Sequence, residues 1–115
     1  MAYVVQKRLD EKQVISMAQR VPITAWSGQS KFAAFESYNA CLSEAGNDFV
    51  VRLTKETHEE RSSSKGAYSL AVYKMHMHAN GEVENVFAGG VLNSDAAKKI
   101  FSDISMRDAR RQLFE

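Results

Sequence analysis

The sequence of 115 residues has few of the residues that mark special structural classes. It contains one proline and one cysteine, Cys41, and no apolar run approaches the ~20 residues of a membrane-spanning helix. A single cysteine cannot form an internal disulfide, which fits a reducing compartment. No basic segment followed by a long apolar run opens the sequence, so we expect no export signal, no membrane association and a cytoplasmic location.

The sequence also lacks a large excess of charge of either sign. Fifteen Lys and Arg residues face fourteen Asp and Glu residues, which gives a formal net charge of +1 and disfavours nucleic acid as a partner. The densest basic cluster, at Arg107, Arg110 and Arg111, is diluted by acidic neighbours and is interpreted as a solvated helix face. Hydrophobic residues make up 44% of the chain, enough for one core without metal or disulfide. We predict a single domain over residues 1–115.

The strongest local signal is the dipeptide Asn80-Gly81, which lies between two alternating runs of residues. A two-residue turn at this dipeptide fixes the register of a β-hairpin. That register places His76 opposite Asn85. The position of one dipeptide therefore predicts much of a sheet.

Alternation of period two predicts a three-stranded antiparallel meander over about residues 48–58, 67–78 and 82–92. A polar loop at 57–66, rich in charge and serine, joins the first two strands, and its role cannot be read from the sequence. The two hairpins together predict three cross-strand pairs on one apolar face: Phe49 with Met75, Val51 with Tyr73, and Leu53 with Ala71.

Two helices are predicted before the sheet. Asp10 is a fair N-cap for a helix over residues 11–20, which Pro22 ends. A second helix is predicted over residues 30–44, because apolar residues recur there at intervals of three and four. Gly46 follows at the position of a left-handed C-cap.

One or two helices are predicted after the sheet, the first over about 95–101 and the second over 106–114. Residues 3–5 leave open a fourth, short strand at the N-terminus. The predicted fold class is therefore α+β, a three-stranded meander with helices on both sides of it in the sequence.

The second face of the predicted sheet is expected to bind a partner. It is apolar toward its middle and polar toward the Asn-Gly turn, as a protein interface requires. Either the terminal helices cover its apolar part, or it contacts another protein or a second copy in a homodimer. The residues of this predicted surface, with a tryptophan of a nearby loop as an anchor, are Trp26, Val50, Arg52, Leu70, Val72, Lys74, His76, His78, Asn85, Phe87 and Val91.

Two histidines suggest a metal site. His76 and His78, at i and i+2 of a strand, point from the same face and could chelate Zn²⁺. His58 lies at the far end of the first hairpin, roughly 30 Å away at ~3.3 Å per residue. The spacing alone is a weak signal, so we predict no metal and no cofactor, and keep a small metal-dependent enzyme as a second alternative.

No catalytic constellation is evident. The serines at 62–64 lack a rigid base nearby, and Cys41 is placed in the middle of a predicted helix as a buried thiol. The pair Gly89-Gly90 is too short to cradle a phosphate, and indicates instead a bulge or the close approach of another backbone. We predict a binding protein without turnover, of the inhibitor or adaptor type that phages and mobile elements encode. A protein that binds a small ligand or nucleotide is the alternative.

Overall fold

The computed structural model describes residues 8–56, 68–92 and 94–114. The predicted strand at residues 3–5, the polar loop and His58 lie outside them. The described residues form one antiparallel sheet in which strands are neighbours in chain order. The elements are α1 (Glu11–Arg20), a 3₁₀ turn (Ile23–Ala25), β1 (Ser30–Phe32), β2 (Phe35–Glu44), β3 (Asn47–Glu56), β4 (Tyr68–Met77), β5 (Val83–Leu92) and α2 (Asp95–Phe114).

The predicted second helix is wrong, and with it the three-stranded meander with two N-terminal helices. The segment forms β1 and β2, so the described part of the chain forms a sheet of five strands. In β2 the buried side chains Tyr38 and Ala40 alternate with exposed or half-buried ones, which is the period of a strand. Gly46 and Ala45 have left-handed φ values of 77° and 50° and form a two-residue hairpin turn, where a helix C-cap was predicted.

The predicted β4–β5 hairpin is present, but its register is wrong. The Gly81 amide donates to the His78 carbonyl over 3.0 Å, and the His78 amide donates to the Glu82 carbonyl over 2.7 Å. The loop therefore has three residues rather than two and ends at Gly81, whose φ is 87°. Pairing moves by one residue as a result, and His76 faces Glu84.

The pairing of β3 with β4 also differs from the predicted pairing by one residue. Val51 pairs with Val72, where Tyr73 was predicted. Because successive side chains of a strand point to opposite faces, a shift of one residue transfers every side chain of β4 to the other face. Leu70 and Val72 therefore join the core, and Tyr73 lies on the opposite face.

The first helix begins and ends where the sequence predicts. The Asp10 side chain accepts a hydrogen bond from the Gln13 amide over 2.8 Å, and the Gln13 side chain accepts one from the Asp10 amide over 2.9 Å. This capping box satisfies amides that the first helical turn leaves without partners. The helix ends before Pro22.

Both helices pack on the same face of the sheet and share one hydrophobic core with it. Tyr38 of β2 meets Phe101 of α2 edge to face, with ring centroids 5.1 Å apart. Burial raises the pKa of the Tyr38 hydroxyl. In the described part of the chain, neither α1 nor α2 has the length and apolar content needed to cross a membrane. The buried hydrophobic residues of the helices are Val14, Met17, Ala18, Ala97, Ile100, Phe101 and Ile104.

The paired glycines of β5 mark a close approach, as the sequence predicts. The ladder shifts beside Ala88, whose carbonyl accepts a hydrogen bond from the Leu9 amide over 2.7 Å. A Cβ atom at Gly89 would lie 2.7 Å from the Leu9 carbonyl oxygen, so only glycine fits there. This contact brings Arg8 to the edge of the sheet.

Candidate binding surface on the open face of the sheet

The face of the sheet opposite the helices, here called the open face, is lined by side chains that alternate with the core positions, including Val50, Arg52, Tyr73 and Phe87. Among the described residues, nine large hydrophobic side chains are exposed, and two of them, on α2, are not part of the sheet. The other seven all lie on the open face: Phe32, Phe35, Met75, Met77, Val83, Phe87 and Leu92.

A row of four cross-strand neighbours crosses the middle of the open face, and we call it the central row: Cys41, Val50, Tyr73 and Phe87. The rings of Tyr73 and Phe87 meet edge to face, with centroids 5.7 Å apart. Cys41 is exposed on a strand, so its predicted burial within a helix is wrong. The central row therefore offers a thiol, an aliphatic side chain and two aromatic rings.

Two arginines flank the aromatic pair. The guanidinium carbon of Arg52 lies 5.2 Å from the ring centroid of Tyr73, and that of Arg8 lies 5.9 Å from the centroid of Phe87. The Arg52 Nε also donates to the Asn39 side-chain carbonyl over 2.9 Å. The stacking and the hydrogen bond together fix the plane of the Arg52 guanidinium. Among the described residues, no carboxylate forms an ion pair with Arg52.

A carboxylate lies on the other side of the central row. Asp48 is exposed on β3, four residues before Arg52, and its Oδ1 accepts a hydrogen bond from the Ser43 hydroxyl over 2.6 Å. Arg52 and Asp48 belong to rows on either side of Val50. The open face thus carries a cation on one side of the central row and an anion on the other.

The structure divides the predicted binding surface between the two faces of the sheet and the core. Four of its residues lie together on the open face: Val50, Arg52, Asn85 and Phe87. Other residues share this face but were not predicted for the surface; those of β2 and β4 were missed because β2 was predicted as a helix and β4 with its faces exchanged. The additional open-face residues that matter here are Cys41, Asp48, Tyr73, Met75, Met77, Val83 and Leu92.

Three apolar residues from the centre of the predicted surface, and its tryptophan, are buried. Leu70 and Val91 are 1% and 7% exposed, and Val72 is fully buried beneath the helices. Trp26 is also a core residue, with 3% of its surface exposed. These four side chains contribute to folding and are not accessible to a partner in this structure.

Trp26 lies beside a buried arginine that the sequence places on a solvated helix face. Nη1 of Arg107 donates to the carbonyls of Ile23 and Trp26, the latter over 2.8 Å, and Nη2 donates to the Ser27 carbonyl over 3.4 Å. Asp108 accepts from Nε and Nη2 over 2.9 and 2.7 Å. Arg107 is 9% exposed and joins α2 to the loop before β1.

Lys74, His76 and His78 are the remaining residues of the predicted surface. They lie near the β4–β5 turn, at positions that alternate with the open-face positions of β4. The rings of His76 and His78 meet edge to face at 5.1 Å, and Nε2 of His78 lies 2.9 Å from a carboxylate oxygen of Glu84. Within the described ranges, no three His, Cys, Asp or Glu side chains are placed to hold a metal ion. The hypothesis of a metal-dependent enzyme rests on the two imidazoles alone.

The open face carries three of the residue types that are common in protein interfaces. Aromatic residues, Met and Arg are enriched in interface cores, and all three occur on this face around the central row. A comparison with protein families, curated proteins and solved structures finds no match to this chain.

Proposed function

We propose that this chain is a binding protein that acts by protein–protein contact through the open face and has no turnover of its own. The observation that carries the proposal is the concentration of exposed large hydrophobic side chains on one face of the sheet. Soluble proteins rarely leave this many large hydrophobic side chains exposed on one face, because burying them in a complex is favourable. The contact is with another protein or with a second copy.

The charges on the open face favour a protein over a nucleic acid. Arg8 and Arg52 supply two positive charges, while Asp48 and Glu56 supply two negative charges on the same face. Nucleic-acid binding draws its affinity from several cations that neutralise phosphates, and its interfaces are strongly basic. A face of balanced charge with exposed methionines suits a protein partner.

A binding protein without turnover acts by occupying a surface of its partner, so we propose the role of an inhibitor or adaptor. The cytoplasmic location belongs to this proposal. The alternative of a small-ligand site would use a groove of about 370 Å³ between α1 and the sheet, bordered by Leu9, Met17 and Phe49. Its rim carries the exposed ion pair Arg20–Glu44, and surface pairs of this kind carry little binding energy.

Two leucines of nearly equal exposure allow a matched test. Leu92 on the open face is 82% exposed, and Leu113 on α2 is 81% exposed. We expect Leu92→Glu to weaken binding of the partner at least ~10-fold, because the new carboxylate would lose water in the interface. Leu113→Glu should leave binding unchanged. The readouts are capture of a stoichiometric protein from a cell lysate and solution mass by light scattering.

Circular dichroism serves as the control that both variants fold. Equal behaviour of the two variants, with a partner or second copy bound to both, would show that the contact lies elsewhere. If neither the wild type nor either variant binds a protein, and a small molecule copurifies in a mass spectrum, the ligand-binding alternative replaces the proposal.

A further inference from the structure

We infer that the open face takes a second copy of this chain across a two-fold axis that follows the central row. The inference rests on the proposed function, since it names the occupant of that face. Its basis is that the rows on either side of the central row complement each other in charge and in size.

Two sheets that pack face to face lie about 10 Å apart, with strand directions within about 30° of each other. A two-fold axis along the central row reverses the strands of the second copy. Each residue of the central row then faces the same residue of the second copy. A row on one side of the central row faces the row that lies on the other side of the central row in the second copy. The row of Asn39, Arg52, Ala71 and Gly90 thus opposes the row of Ser43, Asp48, Met75 and Asn85.

This arrangement pairs two of the charges of the open face, Arg52 and Asp48. Arg52 opposes Asp48 of the second copy, and symmetry makes the same contact a second time. Both groups are already oriented within the chain, Arg52 by Tyr73 and Asp48 by Ser43. Preorganised groups lose less entropy on binding, so the two contacts would give the dimer its orientation.

The apolar side chains are also complementary across the axis. Two rows from the centre, Leu92 of β5 opposes Val83 of the second copy, and both are more than half exposed. One row from the centre, the small Ala71 opposes the long side chain of Met75. In these two pairs a large side chain meets an apolar or a small one, which is what close packing between two sheets requires.

Charge reversal tests the axis directly. Asp48→Arg places an arginine of each copy against Arg52 of the other copy, and Arg52→Asp places a carboxylate of each copy against Asp48 of the other. We expect each single variant to raise the dissociation constant of the dimer roughly 100-fold. The double variant Asp48→Arg/Arg52→Asp should restore the dimer. An equimolar mixture of the two single variants should form a heterodimer, because every contact across the axis is then between opposite charges.

Sedimentation velocity and native mass spectrometry measure these species. Asp103→Arg is the matched control, because Asp103 pairs with Lys99 four residues away on the exposed surface of α2. This variant should dimerise like the wild type. A wild-type chain that is monomeric at every concentration overturns the inference, and so does a dimer that neither single reversal weakens.

The proposed function can survive that failure. If the wild type is monomeric but captures a different protein, and Leu92→Glu alone loses it, the open face binds a heterologous partner and the second copy is excluded. If Leu92→Glu and Leu113→Glu behave alike in every binding measurement, the proposed function fails together with the inference.

Discussion

Val72→Glu is expected to unfold the domain. Val72 is fully buried between the sheet and the helices and pairs with Val51 on β3. A carboxylate at this position has no partner, and placing an unpaired polar or charged group in a core costs several kcal/mol. Whole domains of this size are stable by about 5–15 kcal/mol, so we expect loss of the cooperative thermal transition followed by circular dichroism.

The neighbouring residue provides the control. Ala71 lies on the open face, opposite Arg52, so Ala71→Glu should leave the fold intact. A folded, monomeric Val72→Glu variant of a dimeric wild type would contradict the burial of Val72. That result would return Val72 to an accessible interface, as the sequence alone predicts.

Arg107→Met is expected to lower the free energy of unfolding by about 3 kcal/mol. The substitution keeps an apolar stem on α2 but removes the donors to the carbonyls of Ile23, Trp26 and Ser27. A buried carbonyl without a donor costs ~1–3 kcal/mol, and more than one is left here. Urea denaturation gives the difference between wild type and variant.

The exposed Arg110 on the same helix is the control, and Arg110→Met should change the free energy of unfolding by less than about 0.5 kcal/mol. Equal effects of the two substitutions would show that Arg107 contributes only as a surface cation. The loop would then be held by the packing of Trp26 and by the hydrogen bonds between Ser27 and Asn39.

Residues 30–44 are the segment in which the predicted and the observed secondary structure differ most. Phe35, Tyr38 and Leu42 recur at intervals of three and four, the pattern of a helix, although in β2 Phe35 points to the open face and the other two to the core. Gly46 serves equally as a helix C-cap and in a hairpin turn. Pairing with β3 decides between the two structures, and pairing is a tertiary contact. Local patterns around α1 had no such competitor, which is why its cap and its end were predicted correctly.

A shift of one residue in the pairing of the strands decides which side chains form the candidate site. The strands β3, β4 and β5 lie close to the predicted ranges, yet β4 pairs one residue away from the predicted register with β3 and, next to the three-residue loop ending at Gly81, with β5, which exchanged its faces. Val50, Arg52 and Phe87 were predicted for the right face, whereas Tyr73 was assigned to the core. Two- and three-residue loops both accept glycine at their last position, so the dipeptide alone could not choose between them.

Methionine oxidation tests most directly whether the open face is covered in solution. Met77 on the open face and Met106 on α2 are 69% and 54% exposed, and oxidation by peroxide follows exposure of the sulfur. We expect Met77 to oxidise several-fold more slowly at high protein concentration than at low concentration, while Met106 oxidises at one rate throughout. Oxidation of Met77 at a rate that does not depend on concentration, in a chain that also captures no other protein, would contradict the account.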